Sequence, residues 1–100
     1  MKLEPDYTAI SIDLLEDEKS FDKHPMQKLL FVIIAVATDN NLVYEGNFQT
    51  LASWMYRDIL EIKSWLRDLK HKGIIDMVTA KNYCKVTIKE GLVYHGFREE

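Results

Sequence analysis

The chain has 100 residues, of which 47% are hydrophobic and 29% are charged, and its formal net charge is −3. That length is enough for one small domain with a thin core and too short for two. A pI near 5.6 argues against a protein that binds polyanions over its whole surface. The apolar run over residues 29–37 is too short to span a membrane.

The N-terminus and the cysteine content predict a reducing, cytoplasmic location. Glu4 and Asp6 stand where a signal peptide would be basic and then apolar. Cys84 is the single cysteine of the sequence, so the chain cannot form an internal disulfide. We therefore expect a cytoplasmic protein without a membrane partner.

Residues 1–24 are typical of an extended lead followed by an acidic loop. The alternation of side chains from Tyr7 to Ile12 predicts a short strand. From Pro25 to Thr38 the sequence is apolar on nearly every side, and a proline suits the first position of a helix. This segment predicts a central, buried helix that ends before residues 39–41.

Two capping signals divide the next segment into two helices. Asn47 can cap a helix from about residue 48 to residue 55. Asp58, with Glu61 three residues later, is an acidic variant of the capping box and predicts a new helix from Ile59. Gly73 supplies a left-handed end for that helix. These signals complete a predicted three-helix core over residues 25–75.

The rest of the sequence predicts a β-hairpin and a last helix. Two apolar, β-branched segments flank residues 80–82, where Asn82 tolerates positive φ. The hairpin is expected over residues 76–88. Thr87 and Glu90 form another capping-box pattern, which predicts a short helix over residues 88–97.

The segment "LASWMYRDILEIKSWLRDLKHKGII" resembles a winged helix-turn-helix domain. Its Leu-Ala pair matches the start of the positioning helix, its capping residue matches the start of the recognition helix, and "KGII" matches the entry to the wing. "YTAISIDLL" and "KLLFVIIAVATDNN" are similar to the lead-in of N-terminal domains of phage and plasmid replication initiators and primosome-type replisome organisers. The resemblance covers about residues 7–92. It implies an α+β fold, mainly α, in a single domain.

One position departs from the pattern. Where many such turns have glycine, this chain has Tyr56, which would be strained if the turn requires positive φ there. The turn is therefore expected either to be strained or to be reshaped.

The resemblance also implies duplex DNA as the partner. Between residues 57 and 89 there are eight Lys or Arg against four Asp or Glu, although the whole chain is acidic. The recognition helix and the wing would present these charges to DNA. The same residues are also typical of a solvated helix face and a protected edge strand. The candidate DNA-binding residues are Arg57, Lys63, Ser64, Arg67, Lys81, Asn82, Tyr83 and Lys85.

Two other interpretations remain open. Ile59 and Leu60 can form an apolar patch for a homodimer or a host protein partner, which would make the chain a protein-interaction module. Alternatively, the acidic N-terminal half can dock on a host enzyme as a small inhibitor does. No catalytic motif, phosphate loop or metal-ligand spacing occurs in the sequence, so we expect no enzyme, cofactor, metal or small-molecule substrate. DNA binding in replication initiation or transcription control is the leading hypothesis.

Overall fold

Helices and strands are interspersed along the part of the chain that the computed structural model describes, residues 6–97. Helices hold more residues than strands, but two antiparallel sheets also form, so the fold is α+β and the expectation of a mainly α protein is only partly right. Within the described range the elements are β1 (Tyr7–Ile10), α1 (Ile12–Glu16), α2 (Pro25–Ala37), β2 (Val43–Asn47), α3 (Phe48–Met55), α4 (Ile59–His71), β3 (Ile75–Ala80), β4 (Tyr83–Ile88) and β5 (Val93–Gly96).

The lead before α2 contains a strand and a short helix. The strand predicted from Tyr7 is confirmed as β1, but it ends at Ile10. Ser11 then caps α1, because its hydroxyl oxygen accepts a hydrogen bond from the Leu14 N–H at 3.3 Å. Leu14 is buried in the core. The prediction of an extended lead is therefore wrong at α1, whereas residues 17–24 form no helix or strand, as predicted for the acidic loop.

α2 is the helix predicted over residues 25–38. It begins at Pro25, and His24 caps it through Nδ1, which accepts a hydrogen bond from the Met26 N–H at 3.0 Å. One side of α2 lies in the core, whereas Leu29 and Val36 are exposed. The helix is confirmed, but its burial is less complete than its apolar composition indicated. The buried residues of α2 are Gln27, Leu30, Phe31, Ile34 and Ala35.

α3 and α4 begin at the predicted caps. Asn47 Oδ1 accepts a hydrogen bond at 2.8 Å from the backbone N–H three residues later, and Asp58 Oδ1 accepts one from the Leu60 N–H at 2.7 Å. The reciprocal half of the capping box predicted for Asp58 and Glu61 does not form. The Glu61 carboxylate instead accepts a hydrogen bond from Arg57 Nη2 at 2.6 Å.

The turn between α3 and α4 contains a strained residue. Tyr56 has φ 54° and ψ 42°, in the left-handed region. Its N–H donates to the Ser53 carbonyl at 3.3 Å, and the Arg57 N–H donates to the Ala52 carbonyl at 3.0 Å, so these bonds close the end of α3. A residue with a Cβ costs about 1 kcal/mol in this conformation. The turn is therefore strained and has not been reshaped.

Three strands form one antiparallel sheet in the order β2-β4-β3. Side chains alternate along β4 as predicted: Cys84 and Val86 are buried, whereas Tyr83 and Lys85 are exposed. The buried face of the sheet packs in the same core as α2, α3 and α4. The opposite face of the sheet is solvated.

The predicted hairpin between β3 and β4 is confirmed, but its turn differs in detail. Ala80 pairs with Tyr83, so Lys81 and Asn82 are the two central residues of a two-residue turn. Lys81 has φ 54°, whereas positive φ was predicted for Asn82. The pairing register makes Lys81 the first of the two central residues, and this is the residue with positive φ.

The C-terminal segment forms a strand, so the helix predicted over residues 88–97 is wrong. β5 pairs antiparallel with β1, with Tyr7 opposite Gly96. Gly91, at φ 92°, lies in the turn that precedes β5. Thr87, predicted as a helix cap, belongs to β4. β5 forms because it satisfies the backbone groups of β1, a partner more than 80 residues away in sequence.

The core lies between the long helices and the buried face of the three-stranded sheet. Leu30, Leu51, Leu66 and Val86 are completely buried there. Among the helices of residues 6–97, none is both long and apolar enough to cross a membrane.

Candidate nucleic-acid interface

A cationic groove runs between α4 and the β3–β4 hairpin. Three of its cations come from α4, where residues 63, 67 and 70 lie on one side of the helix because of their spacing. The fourth comes from the hairpin turn. Of the described residues that line the groove, none is acidic. The lining residues are Phe48, Lys63, Arg67, Lys70, Met77, Thr79 and Lys81.

The charges of this groove are available to a ligand. Lys63, Arg67, Lys70 and Lys81 form no ion pair with any residue in the range 6–97. Lys63 Nζ lies 5.1 Å from the centre of the Phe48 ring, so a cation–π contact holds it at the groove. Four unneutralised cations around one groove attract an anion such as a phosphate run.

Lys81 lines the groove with a strained backbone conformation. It is exposed at the hairpin tip, in the left-handed conformation that glycine would adopt without strain. The Phe48 N–H donates a hydrogen bond to the neighbouring Asn82 carbonyl at 2.9 Å, which ties the turn to the start of α3. The tip is thus held beside α4, and Lys81 adds its charge to the groove.

The solvent face of α4 continues beyond the groove. Ser64 is exposed, one residue from Lys63 and three from Arg67. The structure therefore brings together Lys63, Ser64, Arg67 and Lys81 of the predicted DNA-binding set. Lys70 was not among the predicted residues, although its spacing of seven residues from Lys63 places it on the same side of the helix.

Arg57, another predicted DNA-binding residue, lies outside the groove. Its guanidinium is paired with Glu61 at 2.6 Å and lies 5.6 Å from the centre of the Trp65 ring. His24 stacks on the same Trp65 ring, at 4.9 Å between centroids. Arg57 Nε is buried without a hydrogen-bond partner among the described residues. These contacts make Arg57 part of the packing between α2 and α4.

Tyr83 and Lys85 also lie away from the groove, on the solvated face of the sheet. Lys85 is opposite Glu45 on β2 and Val78 on β3. Desolvation and then a hydrogen bond with Glu45 raise the pKa of the Tyr83 hydroxyl above its ordinary value. Glu45 therefore offsets the positive charge on this face, and the predicted DNA-binding residues occupy two different surfaces.

Part of the basic excess between residues 57 and 89 is neutralised away from the groove. Lys72 Nζ lies 2.6 Å from both Asp22 and Asp68, and Gln27 Nε2 donates to Asp68 at 2.9 Å. Burial raises the pKa of Asp68, but the hydrogen bonds from Lys72 and Gln27 outweigh it and hold the pKa below 3.8. Burial lowers the pKa of Lys72, but its carboxylate partners raise it above 10.5. This cluster joins the N-terminal loop to α4.

The predicted interaction patch is divided. Ile59 is half-buried against the core, whereas Leu60 is 70% exposed. Two aromatic residues near Leu60 were not predicted as site residues: Tyr56 is 94% exposed and Trp54 is 49% exposed. The sequence pointed to Tyr56 only through its position, where many such turns have glycine.

Comparisons with protein-family models, curated proteins and solved structures found no match. Within the described residues, no group of three or more His, Cys, Asp or Glu side chains is placed to hold a metal ion. What the groove binds must therefore be inferred from its own side chains.

Proposed function

We propose that this chain is a winged helix-turn-helix domain that binds duplex DNA in replication initiation or transcription control. The order of elements supports this assignment, because α2, β2, α3, α4 and the β3–β4 hairpin follow one another. The sheet order β2-β4-β3 is compatible with a hairpin beside α4. In this proposal α4 is the recognition helix and the hairpin is the wing.

The observation that carries the proposal is the cationic groove. An acidic protein gains little from collecting Lys63, Arg67, Lys70 and Lys81 around one groove unless an anion binds there, since like charges repel. A DNA backbone supplies a run of phosphates of matching sign. The net charge of −3 then limits binding to this one surface.

The side chains have different roles in this arrangement. Lys63, Ser64 and Arg67 on α4 face the base edges of the major groove, where lysine and arginine donate to guanine and serine can donate or accept. Lys81 contacts the phosphate backbone, which positions the protein but carries little sequence information. Tyr83 and Lys85 contribute less, because they lie on the other face of the hairpin.

A salt titration tests the proposal. The dissociation constant of a labelled duplex of random sequence is measured by fluorescence anisotropy at several salt concentrations. Lys63→Gln with Arg67→Gln should reduce the slope of the logarithm of the association constant against log salt by about two, because on a random sequence these two cations contact phosphates instead of specific base edges. Lys19→Gln with Lys23→Gln removes the same charge from the acidic loop and should leave the slope unchanged. Binding that is independent of salt, or equal losses in both double variants, would contradict DNA binding by the groove.

A protein-interaction module is the second candidate, and the exposure of Leu60 favours it. Burial of one such side chain in a complex stabilises it by about 1.5 to 3 kcal/mol. If a second copy covers Leu60, then Leu60→Ser should lower the mass of the particle measured by light scattering. A monomeric wild type would exclude self-association and leave only a different protein as the partner of this module.

A further inference from the structure

Three exposed apolar side chains surround the turn between α3 and α4. Trp54 lies near the end of α3, Tyr56 in the turn and Leu60 in the first turn of α4, and they are 49%, 94% and 70% exposed. They fall within seven consecutive residues of the chain, and contiguous exposed apolar surface on a monomer often marks a binding site. We call these three residues the apolar tip.

The fold gains little from the Tyr56 ring. Trp54 makes an edge contact with Tyr44 at 6.4 Å between ring centroids, whereas Tyr56 has no aromatic contact in the described part of the chain. Tyr56 also occupies a left-handed conformation that glycine adopts more easily. A strained residue whose side chain projects into solvent is a reason to look for a function of that side chain.

The apolar tip is continuous with the cations of α4. Leu60 precedes Lys63 by three residues and Arg67 by seven, so the three side chains lie along one side of the helix. One carboxylate, Asp58, lies between the tip residues in sequence, and its Oδ1 is occupied by the Leu60 N–H. A ligand that covers this surface would therefore place negative charge on Lys63 and Arg67 and a flat apolar face on the apolar tip.

We propose that Tyr56 stacks on an unpaired nucleobase, so that the protein prefers DNA whose bases are locally unpaired. The phosphates of the same strand lie against Lys63 and Arg67, and Trp54 and Leu60 flank the base. Nucleobases have the flat π-face that an aromatic ring requires, and a cationic surface beside it is the usual arrangement for nucleic-acid strands. This inference rests on the proposed DNA-binding function, because it uses the same cations.

The experiment compares two labelled probes of the same sequence: a fully paired duplex, and a duplex with a short central run of mismatches. We expect the wild type to bind the mismatched probe about ten-fold more tightly, the usual contribution of one base stacked on an aromatic ring. Tyr56→Gly should abolish that preference and leave the affinity for the paired duplex unchanged. Tyr56→Phe should retain the preference, because the ring remains.

Tyr56→Gly also separates binding from folding. Glycine relieves the left-handed strain, so the urea midpoint of the variant should equal or exceed that of the wild type. Equal affinity of the wild type for both probes would overturn the inference and leave the proposed function intact, whereas failure to bind either probe would overturn both. A preference for the mismatched probe that persists in Tyr56→Gly would also overturn the inference. So would a lower particle mass of Tyr56→Gly in the absence of DNA, because the apolar tip would then be a protein-binding surface.

Discussion

Lys70 Nζ donates a hydrogen bond to the Met77 carbonyl at 2.8 Å, and this bond joins α4 to β3 across the cationic groove. The lysine thus connects the proposed recognition helix to the proposed wing and contributes a charge to the surface between them. Removal of the side chain should therefore affect both stability and DNA binding.

Lys70→Met tests this double role. The variant retains most of the aliphatic length but loses the hydrogen bond, so the free energy of unfolding should fall by about 1 kcal/mol in urea titrations. Its affinity for duplex DNA should also fall. Arg67→Met is the matched control, because it removes a groove cation that makes no comparable bond to the hairpin, and only its DNA affinity should fall. Unchanged stability of Lys70→Met would show that the bond does not hold the groove together.

Lys81→Gly should increase stability and decrease DNA affinity. Glycine accepts the φ of 54° without steric strain, so unfolding in urea should require about 0.5 kcal/mol more free energy than in the wild type. DNA affinity should decrease, because a phosphate contact is lost. Asn82→Gly, in the same turn, does not relieve positive φ and should be no more stable than the wild type. A destabilised Lys81→Gly would contradict the assignment of strain to this residue.

The cluster of Asp68 and Lys72 predicts a pH dependence of stability. The pKa of Asp68 is lower in the folded chain than its ordinary value of 3.8, so its contribution is present above that value and is lost as pH falls through the lower folded pKa. The pKa of Lys72 is raised above 10.5, so its contribution is present below that value and is lost as pH rises through the folded pKa. The wild type should therefore exceed Asp68→Asn in unfolding free energy at neutral pH, and the difference should shrink in acid.

Urea titrations at neutral and acidic pH measure that difference. Asp13→Asn is the control, since Asp13 is exposed and lies outside the cluster. If the wild type exceeds Asp68→Asn in unfolding free energy by the same amount at both pH values, the ionised Asp68 carboxylate is not the stabilising species.

Ile59 and Leu60 should respond differently to the same substitution. Ile59 packs against the core, so Ile59→Ser should lower the free energy of unfolding by about 1 to 2 kcal/mol. Leu60 is exposed, so Leu60→Ser should change stability by less than about 0.5 kcal/mol. Equal losses in the two variants would mean that Leu60 is also part of the core, which would remove it from both proposed binding surfaces.

Local residue patterns determined most element boundaries. Pro25, Asn47, Asp58 and Gly73 mark the starts of α2, α3 and α4 and the end of α4, and all four lie where they were predicted. These boundaries are predictable from sequence because a cap depends on a side chain and on backbone groups within a few residues of it. The shared side of the cations along α4 was also predictable from sequence, since helix geometry places residues three and four apart on one side.

Tertiary structure alone decided which residues share a surface. The segment predicted as a helix forms β5 because it pairs with β1, and Arg57 lies outside the groove, beside Glu61 and Trp65. The register of the hairpin assigned positive φ to Lys81 and placed Lys85 opposite Glu45. A sequence shows the charge and shape of each side chain, but the groove depends on contacts between α4 and a hairpin whose relative position is set by packing of the common core.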